Sequence, residues 1–258
     1  MALKSVLMHI ATITLLALAG CTSTTDSATD SASDSAQAPA SEQPPTQPAE
    51  APAPPTEAEI EAAEADWRAR QDDVNQVLAS MDRATFIGNS PVKGSPNAAV
   101  VVVKFSDFEC PFCAVAAGHM KTFVEEREDE VLYVYKHLPL KSIHPEAEPA
   151  SKASWAAAQQ DQFWLYHNGL FANQARLSDA LYIELAEQIG LDMEQFNRDR
   201  NSEAAQAAVD ADLALAEQLK LSGTPSFLMG GLLIPPGVPP ESFGELLDNL
   251  KANQAPSE

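Results

Sequence analysis

Apolar positions recur with two periods between residues 98 and 252, and the changes of period mark out the elements. Ala98 to Phe105 is a continuous apolar run rich in valine and interrupted by Lys104, the pattern of a buried strand. A helix is predicted from about Cys110 to Glu126, and a second strand from Val131 to His137. Pro145 to Leu221 is mostly helical in pattern. Ser178 opens one helix there, with Leu181, Leu185 and Ile189 on one face and Gly190 as its stop. Asp192 with Gln195 reads as a capping box, and Ser202 opens a helix carrying Val209, Leu213 and Leu219. Ser226 to Met229 and Leu232 to Ile234 flank Gly230-Gly231, a hairpin signal. Glu241 to Ala252 closes the pattern with an amphipathic helix bearing Phe243, Leu246, Leu247 and Leu250.

Upstream, Glu57 to Ala84 reads as one helix rich in Ala, Glu and Arg. Ile60, Trp67, Val74 and Met81 recur along it every seven residues. Ala63 and Val77 lie three positions on, but Arg70 breaks that second row. Such a stripe serves either to pack the helix on its own domain or to pair it with a second copy.

The first twenty residues carry a single charge, Lys4, and an apolar run from Val6 to Ala19 that is short for a spanning helix. Leu18-Ala19-Gly20-Cys21 resembles the lipobox of bacterial lipoproteins, which implies cleavage before Cys21 and lipid on its thiol. An ordinary signal peptide that contains a cysteine is the alternative. Thr22, not aspartate, follows, which under the sorting rule of enteric bacteria favours the outer membrane. Thr22 to Thr56 is Ser, Thr, Ala, Pro and Gln with scattered acids and neither a basic nor a large apolar residue. Too little apolar surface is present there to offset ordering entropy, so this segment reads as a disordered tether.

With 37 acidic and 16 basic side chains the formal charge is -21, which repels phosphate backbones and argues against a nucleic-acid partner. Three cysteines exclude a disulfide-dense scaffold. Two of them form Cys110-Pro111-Phe112-Cys113, placed just after a strand and at the start of a helix. Thiols at this spacing can close a small disulfide. The helix N-terminus stabilises a thiolate on the first of them through unpaired amides and the macrodipole. Pro111 suits the first turn, where its missing N–H is not needed. Cys110 is then the nucleophile and Cys113 the resolving thiol. Half of a zinc site is the competing reading, yet His119, His137, His144 and His167 show no ligand spacing. Copper(I), with fewer and softer ligands, stays open.

Phe105-Ser-Asp-Phe-Glu-Cys-Pro-Phe-Cys113 resembles the active-site segment of the DsbA-like branch of the thioredoxin superfamily, and Gly223-Thr-Pro-Ser-Phe227 resembles its second signature. His144-Pro145 to Phe171 is similar to the start of that family's helical insert, and Gly94 to Ala98 also fits. The resemblance covers roughly residues 92–252. It implies an α/β thioredoxin fold with a helical insertion at about 145–221; upstream of it, the residues themselves read as the helix of 57–85, the tether of 21–56 and the signal peptide of 1–20. It also implies a cis Pro225 facing the two cysteines, so that the Thr224 backbone pairs with an extended substrate peptide; the plainer alternative is a simple turn at Gly223 and Pro225. Pro111, Phe112, Thr224 and Pro225 would contact substrate. The reaction implied is disulfide exchange with cysteines of cell-envelope proteins, without an organic cofactor or metal. The partners implied are those proteins and a membrane redox protein. The direction, oxidase or isomerase/reductase, is open.

One position departs from the family. Many members carry a glutamate six residues before the first cysteine, where this chain has Lys104. A lysine there either favours thiolate by charge or merely snorkels from a strand end. Asp107 and Glu109 flank the cysteines and are expected to oppose thiolate formation.

Overall fold

A computed structural model describes residues 55–254 apart from Pro236. The predicted signal peptide, Cys21 and nearly all of the tether lie outside the described residues. The chain divides into two compact units, residues 1–62 and 63–258. The described part of the first begins a helix. There Thr56 and Glu59 cap one another, the Thr56 backbone N–H reaching the Glu59 carboxylate at 2.7 Å.

The expected single helix to Ala84 is two: α1 (Glu57–Ala79) and α2 (Arg83–Ile87). The break lies in the residues between them. Asp82 takes extended backbone angles, and its carboxylate accepts the Thr85 N–H at 2.7 Å. An aspartate that can cap a new helix stops the old one. A short strand, β1 (Val92–Gly94), follows, which three residues could not announce by periodicity.

The core of the fold is a five-stranded mixed sheet, in the order β1, β3, β2, β4, β5. Its remaining strands are β2 (Val100–Ser106), β3 (Val131–His137), β4 (Ser226–Met229) and β5 (Leu232–Leu233). β2 and β3 are parallel and the other pairings antiparallel. Gly94 makes the β1 pairing possible. Its φ is +90°, and a Cβ there would lie 2.4 Å from the Val131 carbonyl. Gly230 and Gly231 both have positive φ and turn β4 back into β5, as the hairpin signal predicts.

Between β2 and β3 runs α3 (Pro111–Glu126). Between β3 and β4 lie α4 (Ala147–Ala158), α5 (Phe163–Ala172), α6 (Asp179–Gln188), α7 (Met193–Arg200) and α8 (Glu203–Gln218). α9 (Phe243–Gln254) comes last. Ser178, Asp192 and Ser202 each cap a helix by accepting the N–H three residues on. The Asp192 capping box is only half made, because its own N–H donates to Gln160 Oε1 at 2.8 Å.

The two faces of the central strands differ in chemistry. Val103 and Phe105 of β2, with Leu132 and Val134 of β3, join Val74, Phe86, Ala216, Leu219 and Leu228 in an apolar cluster. Trp67, Val77, Leu78 and Met81 pack on its edge. The seven-residue stripe of α1, from Trp67 onward, is therefore spent on this sheet, and Val74 is fully buried. The opposite face carries Lys104, Ser106, Tyr133, Tyr135 and His137, all buried, with Lys104 opposite Tyr135 and Ser106 opposite His137. A second cluster, built on Phe108, Tyr135, Phe163, Tyr166, Leu181 and Phe196, forms the core of the helical insertion.

Candidate active site

Strand β2 ends at Ser106, and Asp107 organises the loop that follows. Its Oδ1 accepts the Glu109 N–H at 2.7 Å, while Oδ2 accepts the Leu140 N–H at 2.9 Å and lies 2.7 Å from His144 Nδ1. Glu109 Oε2 accepts the Glu146 N–H at 2.7 Å. Both carboxylates thus face partners of their own, and the expected opposition to thiolate is answered locally. His144 is raised above its ordinary pKa: burial works against its charge, but the Asp107 hydrogen bond and carboxylate outweigh burial. Gln174, from the turn after α5, donates through Nε2 to the Phe108 carbonyl at 2.7 Å and to the Cys110 carbonyl at 2.9 Å. Nothing in the linear pattern singled out Gln174, because its role comes from a contact 64 residues away.

Cys110 is the N-cap of α3, with Pro111 in the first turn. Cys113 lies one turn in, completely buried, and its N–H donates to the Cys110 carbonyl at 3.0 Å. Both cysteines are free thiols. Thr224–Pro225 is a cis peptide, and Cys110 Sγ lies 3.4 Å from the Thr224 carbonyl oxygen. The structure therefore brings Cys110, Cys113, Thr224 and Pro225 together. Phe112 is 72% exposed, and Val115, three residues on, is also exposed. Beside the cis-proline turn is a cleft of about 230 Å³ lined in part by Trp67, Arg70, Gly223 and Thr224.

The two thiols are electrostatically unlike. The Cys110 pKa is lowered to about 5 by hydrogen bonding from the Cys113 thiol, with further help from Thr224 and the Cys113 and Phe112 amides against the cost of burial. The Cys113 thiol is pushed far up, first by burial and then by donating that hydrogen bond. The pair divides into a thiolate above and a held proton below. Lys104 does not snorkel: it is wholly buried, and its Nζ donates to the Cys113 carbonyl at 3.0 Å. Among the described residues no group of three or more His, Cys, Asp or Glu side chains could hold a metal ion. No described helix is long and apolar enough to cross a membrane.

A strand, an N-capping cysteine, a second cysteine one turn in, and a cis-proline loop against the first define a thioredoxin-type dithiol site. The family model for thioredoxin matches residues 87–249, and the chain belongs to that family. Among solved structures, a thioredoxin-like oxidoreductase from Silicibacter pomeroyi is 30% identical, with a TM-score of 0.60. That match covers 68% of this chain and all of the other. The thiol-disulfide exchange protein alpha-DsbA2 of Wolbachia pipientis shares the fold at 19% identity and a TM-score of 0.63, over 72% of this chain and 98% of its own. Proteus mirabilis ScsC, in a linker-deleted form, does so at 21% identity and 0.61, over 79% and 100%. By sequence, 140 residues are 36% identical to part of a Na(+)/H(+) antiporter NhaA from Salinispora tropica, covering 54% of this chain and 21% of that one. The chain therefore spans about a fifth of that relative's length.

Proposed function

We propose that this protein is a protein disulfide oxidoreductase of the cell envelope in which Cys110 is the nucleophile and Cys113 the resolving thiol. The observation that carries the reading is the placement of Cys110 at the α3 N-cap with its sulfur 3.4 Å from the Thr224 carbonyl. An extended peptide lying along Thr224 and Pro225 would bring its own sulfur to Cys110. Exposed Phe112 and Val115 offer an apolar rim, which suits unfolded or extended polypeptide. The reaction has two displacements. In the oxidising direction a substrate thiolate attacks the Cys110 sulfur and expels the Cys113 sulfur. A second substrate thiolate then attacks the substrate sulfur of that mixed disulfide and expels the Cys110 thiolate. In the reverse direction Cys113 sulfur attacks Cys110 and releases the reduced substrate.

The favoured direction is oxidation of substrates. A nucleophile whose thiolate is well stabilised makes the reduced state favourable, so the disulfide is readily given away. A membrane redox protein would then re-form the disulfide. Isomerase or reductase action is the alternative, and the measured reduction potential separates the two. We also propose a lipid anchor on Cys21, with the tether giving the domain reach from the membrane surface.

The decisive experiment is trapping. Cys113→Ser is expected to accumulate mixed disulfides on Cys110, seen as adducts on non-reducing gels that dithiothreitol removes. Cys110→Ser is expected to accumulate none. Equal adduct formation on Cys113 in the Cys110→Ser variant would reverse the assignment.

A further inference from the structure

Besides the histidines, cysteines and tyrosines, four ionisable side chains among the described residues are deeply buried in or beside the sheet: Lys104, Asp107, Lys136 and Asp212. Lys136 and Asp212 neutralise one another at 3.0 Å. Lys104 has no carboxylate within ion-pair distance among the described residues. Its Nζ touches the Cys113 carbonyl at 3.0 Å and lies 5.1 Å from the centre of the Phe171 ring. An enclosed ammonium is costly without a counter-charge, and a dipole with a ring face is a poor substitute for one.

The groups facing this lysine narrow the choice. From β3 come Tyr133, Tyr135 and His137, and from α5 comes His167. Burial holds both tyrosines protonated far above neutrality, and burial lowers His137 to about 4 and His167 to about 3. Asp107 is engaged with His144 and with two backbone amides. Near neutral pH the remaining negative charge available to Lys104 is therefore the dithiol's own. Burial pulls Lys104 down to about 8, and the charges of Cys113 and Cys110 are what hold it up.

We propose that Lys104 is a redox-linked proton carrier: an ammonium while Cys110 is a thiolate, and a neutral amine once the Cys110–Cys113 disulfide has formed. This rests on the disulfide-exchange reading above and deepens it. The protons and sulfurs balance. The reduced site holds Cys110 thiolate, Cys113 thiol and Lys104 ammonium, with no net charge. When Cys110 attacks a disulfide R–S–S–R′, the S–S bond breaks and R′S⁻ leaves. The negative charge at Cys110 is lost, so the Lys104 ammonium gives up its proton to R′S⁻ by way of solvent. The amine then takes the Cys113 proton as Cys113 sulfur attacks Cys110 and expels RS⁻, and passes that proton on in turn. Two thiols are produced, and the oxidised site is again without net charge. The reverse sequence reduces the protein and oxidises its substrate. Lys104 acts here on a proton and not on a sulfur–sulfur bond, so it is a positioning residue.

A proton count tests this where a merely structural lysine would leave no trace. Glutathione stays protonated below about pH 8, so reducing the protein with two glutathiones transfers two protons. If the reduced site takes up both, the equilibrium constant is flat between pH 6 and 7.5. In Lys104→Met only Cys113 holds a proton, and the constant is expected to favour the reduced protein about tenfold more for each pH unit. A wild-type constant that itself climbs tenfold per unit, or a variant as flat as wild type, overturns the inference. Proton release on oxidation by ferricyanide at pH 7, read with an indicator dye on wild type and Lys104→Met, provides a second measurement. About two protons per dithiol from wild type and about one from Lys104→Met support the inference; one from wild type, or two from both, overturns it. Lys104→Arg, which keeps its charge, is expected to release one. Failure of Cys110 and Cys113 to form a disulfide at all would overturn the exchange reading and this inference together. A disulfide that forms with release of one proton overturns the inference alone.

Discussion

The Cys110 sulfur sits where an N-cap side chain belongs, inside the converging amides of the first turn of α3, and the Cys113 thiol donates to it from below. Its ionisation in the reduced protein is therefore displaced to about 5, well below an ordinary thiol. Alkylation of Cys110 by iodoacetamide is expected to rise with pH through about 5 and to level off by neutrality, followed by mass spectrometry of the modified peptide. A rate that keeps climbing past pH 8 would show an unperturbed thiol. Because the Cys113 thiol is the largest contributor, Cys113→Ala is expected to move the curve to higher pH. The same displacement has a sign for stability. The folded pKa lies below the unfolded one, so the reduced protein is most stabilised above the unfolded thiol pKa. That stabilisation is lost as pH falls toward about 5.

At the scale of elements, α1 guards an edge. β5 is the outermost strand on its side of the sheet, and such an edge invites pairing with another chain. Gln71, on α1, occupies backbone groups at this edge: its Oε1 accepts the Leu233 N–H at 2.8 Å, and its Nε2 donates to the Gly231 carbonyl at 3.0 Å. Val74 and the half-buried Trp67 fix the helix from the same side. Gln71→Ala leaves a buried N–H and a carbonyl unpartnered, and is expected to cost about 1–3 kcal/mol in urea unfolding. Trp67→Glu is expected to lower the melting temperature and leave sedimentation unchanged, because the stripe faces the chain's own sheet. Conversion of a dimer to a monomer by Trp67→Glu would instead show that the stripe pairs two copies.

For the whole molecule, the helical insertion and the sheet are joined by a buried charge pair. Asp212 of α8 meets Lys136 of β3 at 3.0 Å and also accepts the His137 N–H at 2.8 Å. The loop between β2 and α3 is clamped from the insertion side by Gln174 and Glu146, so the site depends on both parts of the fold. The proposed anchor belongs to this scale too. With Cys21 acylated, the protein is expected to fractionate with membranes and to carry a lipid mass on its N-terminal peptide. Cys21→Ser is expected to release it to the soluble fraction, and an unmodified native chain recovered there would refute the anchor.

What the linear sequence determined is what short-range rules determine. The valine-rich strand, the Val131–His137 strand, the Ser178 and Ser202 caps, the Gly230-Gly231 turn and the placement of Cys110 at a helix start each depend on a few neighbouring residues. The fold class could be read as well, because two separated signatures resembled one family. Contacts across long sequence separations decided the rest. They set the strand at Val92–Gly94, the clamp by Gln174 and the side of the sheet to which α1 commits its apolar stripe. They also decided Lys104. In the sequence it is a lysine interrupting a strand, equally able to reach water or to stay inside. Strand alternation turns it to the face covered by α3 and α5, where no carboxylate of the described residues lies within ion-pair distance, and that placement is what the proposed link between its charge and the two sulfurs rests on.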